Sequence, residues 1–576
     1  MIALLLLLIL SDDPMLFEVE EDKDLEIILR DMEYLRNNPI DINTASFDEL
    51  TRIPYLSISD CLKIVEYREK KGPYNSLGDL LNIPGFDIIL FDMIKHFIVV
   101  KAKPFKIEKF AIRMRAQTEV PKKELSEEYY TKTECSFGPY TIFFITEKDP
   151  YENSLFDYYA PGIMIDQGTR KIVLGKYNLD LGSGIMLSPI GSFFYSTDFR
   201  IMIKERGIIP YTSVLENSGF FGAAYSDSLF LKYTLFFSNQ KLDGRIDSLG
   251  FASSFDESGD HTDSISLDRK DNISEKIFGY DIRYQFSDLL ISNRTYWCSY
   301  NPEFVCSDSF TKFYGGKFWT SGLGLKYSRD FFVMFSEFVR SYKDRIGGLF
   351  GFSGYFPYID FNLVGKYFPV GFYSPKGVEA KDDYIGGTID IKHRSKIANL
   401  GLTLTMDNRT EDDSIKYNLR LNFEKKIGIL NAKFQMRWRY LAQTKNLSGS
   451  RVFIRVKPVK KIFIDLRLEE RYIYSSDGIE KGLFGGFELG TEFKRLKIRM
   501  RYGIFNTDSY AARIYVYETD LPGIIHNRML YNKGNYGFIY ISIKPVDMLK
   551  IGLKYSVVNR DTLSLKKLGC QIDVKL

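Results

Sequence analysis

The sequence has few cysteines, few tryptophans and no long apolar runs beyond its first residues. Ile2–Leu10 is apolar but too short to cross a bilayer as a helix, and no later stretch is long and apolar enough to do so. The net charge of +4 over 576 residues is too small to indicate nucleic acid or an acidic partner. The five cysteines are Cys61, Cys135, Cys298, Cys306 and Cys570. Their odd number and wide scatter exclude a disulfide scaffold, and the absence of a CxxC pair gives no indication of a zinc site. Cys298 and Cys306 either bridge across a loop or stay unpaired.

The first 36 residues divide into two short segments. Ile2–Leu10 is apolar and is followed by Ser11-Asp12-Asp13-Pro14, which predicts a secretory signal peptide over residues 1–11. A short buried helix is the alternative. Residues 12–36 are acidic, and Leu25, Ile28, Met32 and Leu35 recur at helical spacing, so we expect an acidic helix there.

Residues 37–103 predict a small all-α domain built from a repeated unit. A polar cap at Asn43–Ser46 precedes Phe47–Leu50, and the turn around Ile53-Pro54 leads into a second helix that Gly72-Pro73 ends. The unit recurs: a helix opens at Ser76, a turn follows at Ile83-Pro84-Gly85, and the last helix covers Ile88–Phe97. Two copies of helix, Ile-Pro turn and helix in about sixty residues form a specific pattern.

This domain resembles a known family. The run Asn38–Ala45, the Ile-Pro turns, Glu66-Tyr67-Arg68 and Gly72-Pro73-Tyr74 are similar to the tandem helix-hairpin-helix domain of competence-type DNA-uptake receptors. The resemblance implies that the hairpin backbone binds DNA phosphates. The residues it assigns to that role are Ile53, Pro54, Tyr55, Leu56, Ser57, Ile83, Pro84, Gly85, Phe86 and Asp87.

The same domain departs from that family's pattern in its hairpins and in its charge. Tyr55 and Ser57 replace the two glycines of the first hairpin, and Asp87 replaces one glycine of the second. Between Leu35 and Lys103 there are nine cations and nine anions, whereas nonspecific duplex binding draws on a basic face. A contact with another protein, or a plug-like role, is therefore the alternative to DNA binding.

From residue 104 to 576, strict alternation of apolar and polar residues replaces the helical pattern. In Ile415–Phe423 and in Leu430–Tyr440, one face is wholly apolar and the other wholly polar over about ten residues. The alternation continues through Leu568, Cys570 and Ile572 to Leu576, which resembles the C-terminal strand recognised by the outer-membrane assembly machinery. The segments predict a large antiparallel transmembrane β-barrel of roughly 20–26 strands.

Turn lengths favour a membrane barrel over the alternative, a soluble β protein. Very short turns at Lys457–Lys460 and Lys544–Asp547 alternate with long polar loops at Leu242–Ser274 and Asp407–Ser414. Tyrosines at strand ends suit an aromatic girdle. We therefore expect the outer membrane of a Gram-negative bacterium, contact with its lipid, and a periplasmic N-terminal domain.

The whole arrangement is similar to a family of helix-hairpin-helix domain-containing outer-membrane proteins of Gram-negative bacteria. Its members carry a segment like Leu174–Gly184. The resemblance implies the architecture and supplies no activity. Gly182 and Gly184 interrupt this strand-like segment before apolar Ile185–Phe194, which fits either an inward fold or an ordinary bulge.

Catalytic and cofactor chemistry find little support. The four histidines (His96, His261, His393 and His526) are far apart, and none sits in a metal or catalytic motif, so we expect no enzyme, no cofactor and no metal. The acidic loop Asp256–Asp271 lacks the spacing of an EF-hand and is interpreted as a solvated loop rather than a calcium site.

The predicted lumen face is rich in cationic side chains, which could select the charge of a transported molecule. The residues proposed to line it are Arg437, Arg439, Arg455, Arg467, Arg499 and Arg501. They either favour an anionic substrate or form an ion-pair network with Glu424, Asp465 and Glu469. The functional prediction is uptake or transport of a polyanion such as DNA. The alternative is a non-enzymatic envelope scaffold, whose small domain binds a periplasmic protein or plugs the barrel.

Overall fold

We obtained the fold from a computed structural model. It describes residues 35–36, 39–43, 45, 47–50, 52–53, 56, 58–83, 86, 88–100, 107–154, 157–167, 170–187, 206–211, 213–228, 231–256, 259, 261–305, 313–329, 331–356, 358–377, 383–395, 398–409, 414–441, 445–459, 461–476, 478–524, 526–561 and 563–576. The predicted signal peptide and nearly all of the predicted acidic helix lie outside these residues.

The small domain follows the predicted order of helices. They are α1 (Phe47–Leu50), α2 (Ile58–Lys71), a 3-10 helix (Leu77–Asn82) and α3 (Ile88–Ile94), with a parallel strand pair of Ile40–Asp41 and Ile98–Val99. The helix expected to open at Ser76 is only a six-residue 3-10 turn. Asp79 accepts the backbone N–H groups of Asn75 and Ser76 and tightens this turn, and Pro84 follows too closely for an α-helix to develop.

Apolar side chains from every helix meet in one core, and two polar side chains tie the connections to it. Leu50, Ile64 and Phe97 are fully buried in this core. Arg68 Nη1 on α2 donates to the carbonyl oxygens of Ile42 and Ala45 at 2.8 and 3.0 Å, which holds the segment before α1. Tyr74 Oη donates to Ile64 O at 2.8 Å, so the chain after Gly72 folds back onto α2.

Most of the remaining described chain forms one closed antiparallel barrel of 24 strands, within the 20–26 expected from the sequence. Its loops add the short strands Gly207–Pro210, Gly244–Ile246, Ala252–Phe255, Ile514–Glu518 and His526–Leu530 and the short helices Ser264–Leu267 and Tyr342–Asp344. In chain order the strands are β1 (Ile107–Glu119), β2 (Glu128–Phe137), β3 (Tyr140–Lys148), β4 (Tyr158–Asp166), β5 (Lys171–Asp180), β6 (Phe220–Ser228), β7 (Lys232–Leu242), β8 (Ile273–Phe286), β9 (Leu289–Phe304), β10 (Gly315–Arg329), β11 (Phe332–Arg340), β12 (Ile346–Tyr355), β13 (Ile359–Phe368), β14 (Tyr384–Arg394), β15 (Asn399–Arg409), β16 (Ser414–Ile427), β17 (Leu430–Leu441), β18 (Lys445–Val459), β19 (Ile462–Ser475), β20 (Gly478–Glu492), β21 (Leu496–Thr507), β22 (Lys533–Val546), β23 (Leu549–Arg560) and β24 (Leu563–Lys575).

The barrel closes where β1 pairs with β24. The register runs from Ala111 opposite Lys575 to Glu119 opposite Lys567. On the inner side of this seam Arg113 Nε lies 2.6 Å from Asp573 Oδ1. Closure leaves no open sheet edge, which a barrel in hydrocarbon requires.

The outer face carries the apolar rows seen in the sequence. Leu421, Trp438 and Met500 are exposed side chains on that face, whereas their polar neighbours point into the barrel. An apolar exterior of this kind suits lipid rather than water. Among the helices of the described residues, none has the length and apolar character needed to cross a membrane as a helix.

The two rims of the barrel differ in the length of their connections. One rim has turns of a few residues, such as Gly138-Pro139 and Asp547-Met548, and β1 begins there. The opposite rim, called the long-loop rim below, carries the segments 181–219, 243–272 and 508–532. The prediction of a long loop at Asp407–Ser414 is wrong, because β15 extends to Arg409 and β16 starts at Ser414.

The assignment of faces can be tested with one adjacent pair on β16. Leu421 faces outward, and Asn422 faces the lumen, where its amide oxygen accepts from Gln435 at 2.9 Å. We expect Leu421→Arg to lower the free energy of unfolding by about 2–4 kcal/mol in lipid, because it places a charge against hydrocarbon. Asn422→Arg introduces the same side chain on the wet face and is expected to change it by less than about 1 kcal/mol. Urea unfolding in lipid vesicles measures both, and equal losses would contradict the assignment.

Candidate functional site in the barrel lumen

The lumen has two kinds of wall. On β7–β11 the inward side chains are buried, and many of them are apolar, including Phe236, Ile277, Tyr296 and Phe335. We call this side the apolar wall, although it also holds buried charged groups such as Arg294 and Glu337. On β16 and β17 the inward side chains are polar and only half-buried, among them Arg420, Lys433, Arg437 and Arg439. The apolar wall is covered by chain from the long-loop rim, and the cationic wall is less covered.

The cover on the apolar wall is residues 181–187, called the first inward segment. Leu181 forms an isolated bridge with Leu187, and Gly182 and Gly184 between them have φ of +71° and +85°. A Cβ on Gly182 would come within 2.1 Å of Arg294 Nη1, so only glycine fits there. Of the two interpretations of this segment from sequence, the inward fold is the one observed.

A buried charge cluster holds the first inward segment. Ser183 donates its backbone N–H to Glu337 Oε2 at 2.7 Å, and its hydroxyl donates to the same oxygen. Arg294 Nη1 donates to Glu337 Oε1 at 2.6 Å, and its Nε donates to Asp281 Oδ1 at 3.0 Å. All four side chains are buried. Charge-assisted bonds of this kind are stronger than neutral ones, so the segment is firmly anchored.

Apolar packing completes this closure. Ile185, Met186 and Leu187 are fully buried in the same cluster as the aromatic side chains of the wall. Ser374, from the loop between β13 and β14, donates to Ile185 O at 2.7 Å. The first inward segment therefore contacts the barrel wall through both charge and apolar surface.

A second cover comes from residues 508–532, called the second inward segment. It contains a hairpin of Ile514–Glu518 and His526–Leu530. Its apolar side chains pack against Phe484, Phe505 and Tyr536 of the wall. The hairpin fills the lumen beside β19–β23.

Arginines of the wall hold this hairpin by its backbone. Arg467 Nη2 donates to Tyr515 O at 2.7 Å, Arg471 Nη1 donates to Arg513 O at 2.9 Å, and Arg501 donates to Tyr517 O. Near the hairpin tip, Lys554 Nζ lies 2.5 Å from carboxylate oxygens of Glu518 and Asp520. Two of the predicted lumen cations, Arg467 and Arg501, thus bind a plug rather than facing open water.

Of the other predicted lumen cations, two form buried ion pairs and two lie on the half-buried wall of β17. Arg455 Nε lies 2.6 Å from Asp465 Oδ1, and Arg499 Nη1 lies 3.3 Å from Glu488 Oε1. Arg437 donates to Asn418 Oδ1 at 3.0 Å, and Arg439 is half-buried beside it. The network expected with Glu424, Asp465 and Glu469 is present: Lys433 pairs with Glu424, Arg455 with Asp465, and Arg451 and Arg467 with Glu469.

The hairpin residues assigned to DNA contact are only partly described. Ile53, Leu56, Ile83 and Phe86 are buried in the core of the small domain, so their side chains serve folding. Pro54, Tyr55, Ser57, Pro84, Gly85 and Asp87 lie outside the described residues. Tyr517 of the second inward segment packs against this core, which brings the small domain to the hairpin.

Sequence reasoning missed the anchors of the first inward segment, and it placed Arg467 and Arg501 in the lumen without assigning them to the second. Ser183 and Glu337 are 154 residues apart, and no local pattern links them. The sequence of β9 does indicate that the lumen is covered there. Tyr296, Cys298 and Tyr300 face inward and Trp297 faces outward, so the strand is apolar on both faces. A strand of this kind is covered on both faces. Cys298 is a free buried thiol, and Cys306 lies outside the described residues.

The charge cluster can be tested through Glu337. Glu337→Gln removes the charge opposite Arg294 while keeping side-chain size, and we expect a loss of about 3 kcal/mol in the free energy of unfolding. Glu424→Gln is the control: Glu424 is half-buried and lies 3.4 Å from Lys433, so we expect a loss of less than about 1 kcal/mol. Both are measured by urea unfolding, and similar losses would show that the cluster does not anchor the segment.

A family model described as the helix-hairpin-helix motif matches residues 36–99. No curated protein matches the chain.

Among solved structures, the FrpB iron transporter of Neisseria meningitidis (F3-3 variant) has 9% identity and a TM-score of 0.40, over 83% of this chain and 84% of that chain. The copper transporter OprC has 8% identity and a TM-score of 0.37, over 83% and 82%. The translocation pore of the P pilus usher PapC has 7% identity and a TM-score of 0.35, over 81% and 99%. The chain thus combines a helix-hairpin-helix motif at residues 36–99 with a closed antiparallel barrel of 24 strands.

Proposed function

We propose that this chain is a non-enzymatic outer-membrane transport barrel for an anionic cargo, a polyanion such as DNA, with its small domain in the periplasm. The observation that carries the proposal is the lumen itself, in which two inward segments lie beside a half-buried cationic wall on β16 and β17. A protein used only as an anchor has no need of two segments folded into its barrel beside a wall of cations. Cations along a pore favour anions by reducing their desolvation cost.

Orientation follows from the two rims. In outer-membrane barrels the short turns face the periplasm and the long loops face outward. The small domain precedes β1, which begins at the rim of short turns. On this arrangement the inward segments descend from outside, the small domain meets the hairpin from the periplasmic side, and the outer-membrane assembly machinery recognises β24.

A scaffold whose small domain plugs the barrel is the second candidate. Contact between Tyr517 and the small-domain core favours it, as do the equal numbers of cations and anions in that domain. In this case the domain closes the lumen and binds a periplasmic protein, and nothing passes through the barrel.

Removing one plug distinguishes the two candidates. Thr507 N donates to Asn532 O at 2.8 Å, so a linker of about four Gly and Ser residues can replace residues 509–531 without spreading β21 and β22. In planar bilayers we expect small, rare currents from the wild type and a large, steady, anion-selective conductance from this variant. The same linker in place of residues 121–126, another loop of that rim, is the control and is expected to behave like the wild type. A silent plug-deleted barrel would instead favour the scaffold.

The cargo class is tested by blocking the opened barrel with a polyanion. A short single-stranded oligonucleotide is expected to block the plug-deleted pore, and the block should weaken at least about tenfold in Arg437→Gln/Arg439→Gln as phosphate contacts are lost. Lys494→Gln/Arg495→Gln removes the same charge from an exposed turn and serves as the matched control. The block should also weaken with added salt. Equal block in both double variants would overturn the polyanion assignment.

A further inference from the structure

Three loops of the long-loop rim meet around one histidine, in a cluster that the lumen does not use. His261 belongs to the loop 243–272, and the side chains around it come from that loop, from the end of the segment 181–219 and from the loop after β3. Together they form what we call the His261 cluster: Glu152, Asp157, Glu216, Asp243, His261 and Lys270.

Both ring nitrogens of His261 contact carboxylates. Nδ1 lies 2.5 Å from Asp157 Oδ2, and Nε2 lies 3.1 Å from Asp243 Oδ2. Glu216 Oε2 lies 3.8 Å from Nδ1, and one ligand atom from each of Glu216, Asp243 and His261 lies within 4.8 Å of the other two. Two ligands on a tetrahedral zinc ion are about 3.3 Å apart, close to the separation of Nε2 and Asp243.

The cluster is buried and holds more negative than positive charge. The side chains of His261 and Glu152 are each 2% exposed, and that of Asp243 is 7% exposed. Lys270 pairs with Asp157 at 2.7 Å. Lys176 donates to the main-chain oxygen of Glu216 and not to its carboxylate. In the described part of the chain, Glu152, Glu216 and Asp243 form no ion pair with any lysine or arginine.

Glu216 is the least satisfied member of the cluster. Within the described residues its carboxylate accepts no hydrogen bond, whereas Glu152 accepts backbone N–H groups from Asp149 and His261. The carboxylate oxygens of Glu216 therefore have lone pairs to offer a cation.

We propose that Glu216, Asp243 and Nε2 of His261 bind a divalent cation of the zinc type. Lys270 Nζ lies 3.4 Å from Nδ1, so its charge leaves only the Nε2 side of the ring to a cation. Asp157 accepts the Nδ1 proton and acts as a positioning residue, which leaves the Nε2 lone pair for the metal. One imidazole with two carboxylates suits zinc better than calcium or magnesium, which prefer oxygen ligands alone.

The test uses the full-length chain, purified in detergent and stripped with a chelator. Zinc titration followed by calorimetry is expected to give one site per chain. That site should be lost in His261→Ala and in Asp243→Asn, and weakened about 10–100-fold in Asp157→Asn. Zinc should also raise the melting temperature of the wild type and not that of His261→Ala.

Two matched variants control for nonspecific effects. Asp263→Asn removes an acid from the same loop, where Asp263 caps the helix Ser264–Leu267, and His393→Ala removes a histidine from β14. Both should bind zinc like the wild type. Heat-modifiable migration on gels confirms folding of each variant, and Glu216→Gln replaces His261→Ala if that variant does not fold. No zinc binding by the folded wild type, or equal binding by the cluster variants, would overturn the proposal.

Discussion

Pairing between β1 and β24 is the constraint on which the other features of this chain depend. In hydrocarbon an unpaired backbone group costs several kcal/mol, so a sheet this wide is stable only as a ring. The register from Ala111 to Glu119 completes that ring, and the Arg113–Asp573 ion pair lies on its inner side. Once the ring has 24 strands, its diameter is set, and the interior is too wide for wall side chains alone to fill.

Segments from the long-loop rim fill part of the lumen that side chains of the wall cannot fill. The first inward segment lies on an apolar wall and is anchored by the Arg294–Glu337 pair. The second lies on a wall of arginines. Their side chains donate to carbonyl oxygens at the edge of the hairpin that faces the wall, so these backbone groups are hydrogen-bonded without a neighbouring strand. The two plugs differ in chemistry because the walls behind them differ. The part of the lumen wall that neither segment is seen to cover is the half-buried cationic stretch of β16 and β17.

Strands and faces could be predicted from the sequence because their cause is local. Alternation in Ile415–Phe423 depends only on the two-residue period of a strand, and the structure places Leu421 outside and Asn422 inside. The anchors of the inward segments and the His261 cluster could not be predicted, since each depends on contacts between distant parts of the chain. For the segment after Leu181 the glycines left an inward fold and a bulge as alternatives. His261 lies 104 residues from Asp157, and two acids close to it in its own loop are engaged elsewhere: Asp256 with Arg269, and Asp263 with the cap of a short helix.

The loop between β5 and β6 links the lumen to the proposed cation site. Its first residues are the first inward segment, and Glu216 lies near its other end. A cation shared by Glu216, Asp243 and His261 would tie the end of this loop to the loop 243–272. The arginine-held hairpin at 508–532 has no residue in the His261 cluster, so a cation bound there would not contact it. The two inward segments are thus held by different contacts, the first by the Arg294–Glu337 pair, and the second by wall arginines and by the packing of Tyr517 on the small domain.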